Sequence, residues 1–143
     1  RISKKGAQFI ASININRTFH EFYDTFIESL KKFKMEEKVE SIYAHIYKKR
    51  KPSITFQRYF TENGFQIEYK DRKEFTMLFA DEEAFFNHSL IKIGFLQSWE
   101  ELIDEKDRNK IFSNIRKLLN KESKKNGYLK MTVPYLIIAA RKV

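Results

Sequence analysis

Cysteine is absent from the 143 residues. Its absence removes disulfide frameworks, thiolate nucleophiles and Cys-ligated zinc together. Glycine occurs only at 6, 64, 94 and 127, and proline only twice. Glycines this sparse exclude a glycine-rich phosphate loop, which needs several within one turn, and argue against an all-β fold built on tight turns. The longest apolar run, Tyr135 to Ala140, is six residues, where a membrane span needs about 20. No signal-peptide apolar region stands near the start. No His-x-x-x-His pair or carboxylate-rich ligand set occurs, so no metal site is expected.

What is present is a globular composition, 42% hydrophobic and 33% charged, at a length that allows one domain. The lack of cysteine suits a reducing compartment, and a cytoplasmic location is expected. The net charge of +9 raises a polyanion as partner. However, 20 of the 28 cations are lysine and 8 arginine, among many Ile, Asn and Phe, which is also the codon bias of an AT-rich genome. Arginine, the bidentate reader of phosphates and bases, is scarce. The lysine excess reads as diffuse, so nucleic acid is not the expected partner, and no membrane is. The competing reading is a free-standing basic α+β module that binds nucleic acid or another anion, resting on the charge and on Lys48-Lys49-Arg50-Lys51. That run also suits a solvated helix end.

Gly6 to Ile13 does not alternate and reads as a strand buried on both faces, ended by Asn14 to Arg17. Thr18 and Glu21 form a capping box ahead of a helix whose apolar positions run from Phe19 and Phe22 to Phe33. A second helix follows from Val39 to Tyr47. A third, capped by Ser53, ends at Asn63-Gly64. Phe65 to Phe79 alternates as one long strand or bent hairpin. Asp81 opens a further helical region that Gly94 or Ser98 could divide. Asp104 caps the last helix, Asn126-Gly127 ends it, and Leu129 to Arg141 is a final strand interrupted by Pro134. Three strands make a narrow sheet, and a first strand apolar on both faces needs neighbours.

Three segments together resemble the second half of a class I S-adenosylmethionine-dependent methyltransferase. Ile2-Ser3-Lys4-Lys5-Gly6-Ala7-Gln8-Phe9-Ile10-Ala11-Ser12 looks like the family's turn into its fifth strand. Tyr59-Phe60-Thr61-Glu62-Asn63-Gly64-Phe65-Gln66-Ile67-Glu68 is similar to its helix ending in x-x-Gly-Phe before the sixth strand. Tyr135-Leu136-Ile137-Ile138-Ala139-Ala140-Arg141-Lys142 looks like its closing seventh strand. The resemblance implies an α/β fold: the C-terminal part of a Rossmann-like methyltransferase sheet, three strands with about five helices and two helical cap insertions. It implies a single partial domain over 1–143. Residues 1–17 are strand and turn, 18–51 a helical insertion, 52–80 helix and strand, 81–127 a second helical insertion, and 128–143 the final strand. The family's glycine-rich cofactor loop is missing. The chain is therefore expected to be a fragment, a reading its start at Arg1 also suits. It is expected to be inactive alone, with S-adenosylmethionine a cofactor of the full-length enzyme only and no cofactor-binding residue here. The expected partners are the missing N-terminal half and, through the open sheet edge, a second copy.

In an open α/β sheet, ligands sit beyond the carboxyl ends of the parallel strands. Asn14 and Asn16 at the end of the first strand are therefore candidates for substrate binding, although Asn also simply terminates strands. Tyr43, Phe85, Asn87 and Trp99 lie in the insertions and could contact a planar acceptor, although aromatics at helical spacing also build cores. His88 is the candidate catalytic residue, as a general base near neutral pH. A surface or capping histidine would look the same in sequence.

Overall fold

The computed structural model describes residues 3–143. Arg1 and Ile2, on which the expectations about the start and the first residue of the first motif fall, lie outside the described residues. The elements are β1 (Gln8–Asn14), α1 (His20–Lys32), a 3-10 turn (Glu36–Lys38), α2 (Val39–Lys49), α3 (Ser53–Glu62), β2 (Phe65–Phe79), α4 (Glu82–Asn87), α5 (Ser89–Ile91), a π turn (Lys92–Leu96), α6 (Gln97–Glu100), α7 (Glu105–Asn126) and β3 (Leu129–Lys142). The fold is mixed α/β. The chain divides into two compact units, one of residues 3–18, 46–75 and 132–143, the other of Phe19–His45 and Thr76–Met131.

The first unit is built on a three-stranded sheet of order β1-β3-β2. β3 pairs antiparallel with β1, from Gln8↔Arg141 to Asn14↔Tyr135. Along β2 the partners on β3 also run backwards: Glu68 meets Arg141, and Phe75 meets Tyr135. β3 is thus antiparallel to both neighbours, and β1 and β2 are parallel to each other across it. Residues directly opposite share a face. Ile15, Leu136 and Ile138 form the core of one face, with Ala11, Ile13 and Ile67 beside them and Phe56 and Phe60 of α3 laid against them. Gly6 and Gly64, at φ 83° and 71°, turn the chain into β1 and β2. The end of β3 fastens both turns. The Gly6 N–H donates to the Lys142 carbonyl at 2.8 Å, and the Val143 N–H donates to the Gly64 carbonyl at 3.1 Å.

β1 corrects the expectation of a strand buried on both faces. It is an edge strand, largely exposed, with Ile10 65% accessible. The physical reason is strand order: β3 occupies the only paired side of β1, and the face opposite α3 gains no cover from the elements of this unit. Pro134 does not interrupt β3 as expected, because it lies one residue beyond the last β1 pair and its missing N–H breaks no bond of that ladder.

The second unit is a helical body with an aromatic core. Steps of three and four along α1 point Phe22, Tyr23, Phe26, Ile27 and Leu30 inward. They meet Ile111, Phe112, Ile115 and Leu119 of α7 and Phe85 and Phe86 of α4. Three expected side-chain caps fail, and one of them is Asp104, which stands at the N-cap of α7 with no side-chain hydrogen bond to the helix. The Thr18 hydroxyl donates back to the Ile15 carbonyl at 2.8 Å, which leaves Phe19 to open α1 at φ 57° with no side-chain cap. Ser53 is the first residue inside α3, after Pro52, and caps nothing. The Asp81 cap forms, its carboxylate accepting from the Ala84 N–H at 2.8 Å. The region after it breaks first at His88, where the backbone is extended, and then passes through the π turn around Gly94.

A polar chain links α1 and α7 inside this unit. The Lys32 ammonium donates to Asn114 Oδ1 at 2.6 Å. Asn114 Nδ2 donates to Ser29 Oγ at 2.9 Å, and that hydroxyl donates to the Ile111 carbonyl at 3.3 Å. Asn114 and Ser29 are both buried, so removing the amide strands a buried hydroxyl. Asn114→Ala should lower stability by about 1–3 kcal/mol, measured by urea unfolding at 222 nm. A change within about 0.5 kcal/mol would show that the chain contributes nothing net.

Candidate functional site

The carboxyl end of β1 is the place where the sheet geometry gathers polar side chains. Asn14, exposed, stands directly opposite Tyr135. Ile15 then turns inward, its N–H donating to the Pro134 carbonyl at 3.1 Å, and the Asn16 N–H donates to the Lys51 carbonyl at 3.2 Å. Arg17 and Phe19 both sit at left-handed φ, 72° and 57°. For side chains with a Cβ this costs about 1–2 kcal/mol each. Two such residues within three positions mark a turn held by its surroundings, and stored strain of this kind clusters at functional sites.

Across the sheet, the Tyr135 ring lies 6.0 Å from Phe75. With Arg72, Lys73 and Glu74 it lines a shallow depression of about 470 Å³. Lys73 forms an ion pair with Asp71 at 3.4 Å. The hydrogen bond to Asp71, and then the charge of that carboxylate, hold the ammonium above its ordinary pKa, with smaller contributions from Tyr69 and Tyr135. Lys73 is therefore a cation at neutral pH and cannot serve as a base. Asn14 stands opposite Tyr135, and Arg72, Lys73 and Glu74 line the depression with that phenol, so donors are at hand to orient an acceptor rich in lone pairs. Tyr135, Arg72 and Lys73 were not singled out from sequence. Their only signal is strand register, and that exists once β3 is known to lie between β1 and β2.

The other candidates belong to the helical unit. Phe85 and Trp99 are fully buried and stack on each other at 6.1 Å. They are core rings with no face open to a substrate. Tyr43 is 55% exposed on α2, and Asn87 is exposed at the end of α4. His88 caps the next turn, its Nδ1 accepting from the Leu90 N–H at 3.3 Å, with its ring against Phe79. A neutral ring accepting at Nδ1 carries its proton on Nε2. Among the described residues no group of three or more His, Asp or Glu side chains is placed to hold a metal. No helix among them is long and apolar enough to cross a membrane.

The glycines do not form the glycine-rich loop by which the family above holds its cofactor. Gly6 and Gly64 are tied to the end of β3, Gly127 ends α7 at φ 80°, and Gly94 lies in the π turn. None stands between a strand and a helix N-terminus, where backbone N–H groups could face a ligand. No protein-family model matches the chain, and no curated protein matches it.

Proposed function

We propose that this chain is the substrate-side part of a class I S-adenosylmethionine-dependent methyltransferase, completing its sheet and shaping its acceptor site. The observation that carries the reading is the reversal of a single strand. β1 and β2 are parallel and β3 lies antiparallel between them. This is not the order of an all-parallel doubly wound sheet. It is the order in which the closing strand of the family named above enters, between the fifth strand and the sixth. The face of β1 turned away from α3, with Ile10 exposed, and its unpaired edge support it too, since a Rossmann-like sheet is covered on both faces. The two helical insertions pack as one unit with its own core, as a cap would require. The role of Asn14, Asn16 and Tyr135 is then to position the acceptor, and methyl transfer depends largely on positioning.

The test is calorimetry with S-adenosylmethionine. The 143-residue chain alone should give no heat of binding. Joined to an upstream segment carrying a strand, a glycine loop and a helix, it should bind. Sedimentation should show that the chain alone self-associates through β1 and that the joined protein does not. Binding by the chain alone, or a lone chain that stays monomeric at high concentration, contradicts the reading.

A further inference from the structure

Four of the 20 lysines are gathered on one face. Lys32 of α1 and Lys117, Lys121 and Lys124 of α7 line one open groove of about 470 Å³ in the helical unit, together with Asn114 and Asn120 and without a carboxylate. Lys117, Lys121 and Lys124 stand at i, i+4 and i+7, so they share one helix face, separated by about 6 and 4.5 Å along the axis. All three are exposed, and among the described residues no carboxylate forms an ion pair with any of them. Lys32 is held at the groove by Asn114. A single anion needs donors that converge on one point. A row of separate point charges suits a repeating anion whose successive charges are a few ångströms apart.

The groove continues, through the shared Leu118 and Lys121, into a larger one of about 710 Å³ that holds Tyr128, Lys125 and Lys130. Tyr128 is 44% exposed, so its ring can stack a base. Glu21, Glu28 and Glu122 also line this second groove and would repel a backbone, confining it to the lysine side.

We infer that this face binds the backbone of a single-stranded nucleic acid, with phosphates along Lys117, Lys121 and Lys124 and a base on Tyr128. The predominance of lysine over arginine makes the contacts point charges that position the strand without reading its sequence. The inference does not rest on the methyltransferase reading, since the surface lies within one unit and needs no cofactor.

The test is fluorescence anisotropy of labelled oligo(U) and oligo(dT) of about 12 nucleotides with the full 143-residue chain. Both should bind. Three or four phosphate contacts predict a log–log salt slope of about −2 to −3. Lys117→Glu with Lys121→Glu and Lys124→Glu should weaken binding at least tenfold. Lys48→Glu with Lys49→Glu and Lys106→Glu, which change the net charge equally at exposed positions elsewhere, should change it less than about twofold. Tyr128→Ala should cost about fivefold or more. Circular dichroism checks that each variant is folded. Equal losses in the two triple variants would overturn the inference, because net charge alone would then explain binding. Tighter binding of a duplex of the same length would overturn it, as would binding to phosphatidylserine vesicles with none to either oligonucleotide.

Discussion

Trp99→Ala is expected to destabilise the protein by about 3–5 kcal/mol, the range for emptying a large aromatic site in a packed core. Trp99 is fully buried. Its indole stacks on Phe22 at 3.9 Å and faces Phe85 and Phe95 at 6.1 and 5.3 Å. Its N–H donates to the Tyr23 hydroxyl at 2.9 Å. Truncation therefore removes both a hydrogen bond and the surface against which three rings pack. Those rings cannot close the gap easily, because Phe22 also touches Phe26 and Phe86 and Phe85 also touches Phe19. Trp99→Phe keeps most of the apolar area and loses the hydrogen bond, so about 1–2 kcal/mol is expected. Urea unfolding at 222 nm measures both. Because Trp99 is the single tryptophan, its emission reports directly on this core, blue-shifted when folded and red-shifted on unfolding. A cost below about 1.5 kcal/mol for the alanine variant would mean that the helical unit is not organised around this ring.

Ile138→Ala should cost about 2–5 kcal/mol by removing a central piece of a thin core. In the sheet unit the core cluster's buried members are Ile15, Leu136 and Ile138, with α3 as the cover. Ile138 stands opposite Ala11, a neighbour too small to fill the space left behind. Ile137, one residue earlier, points to the other face and is only half-buried. Ile137→Ala should cost less than about 1.5 kcal/mol. Equal costs at the two positions would mean that the face opposite α3 is as well packed as the face beneath it, against the exposure of Ile10 on that side. Hydrogen exchange offers the same contrast: β1 amides exchange early, and α1 and α7 amides late.

Much of the local structure was legible in the sequence because it depends on nearest neighbours. The apolar period of α1 and α7, the Asp81 cap, the left-handed glycines at 64 and 127 and the unbroken β2 all follow from residues within one or two turns. The misread features have a common cause. The Thr18 hydroxyl could accept from an N–H of the first helical turn or donate to the carbonyl behind it, and it donates to the carbonyl. The apolar run of β1 indicated burial, but its exposure depends on which strand pairs with it.

The sequence by itself determined the composition and the helix faces, since composition and periodicity are properties of the chain alone. Tertiary structure decided the rest. It inserted β3 between β1 and β2, which brings Tyr135 to Asn14. It made core of Phe85 and Trp99. It also gathered lysines from α1 and α7, 85 to 92 positions apart in the chain, into one groove. Charge count is additive along a sequence, but the field a ligand meets depends on distance, and only folding sets the distances.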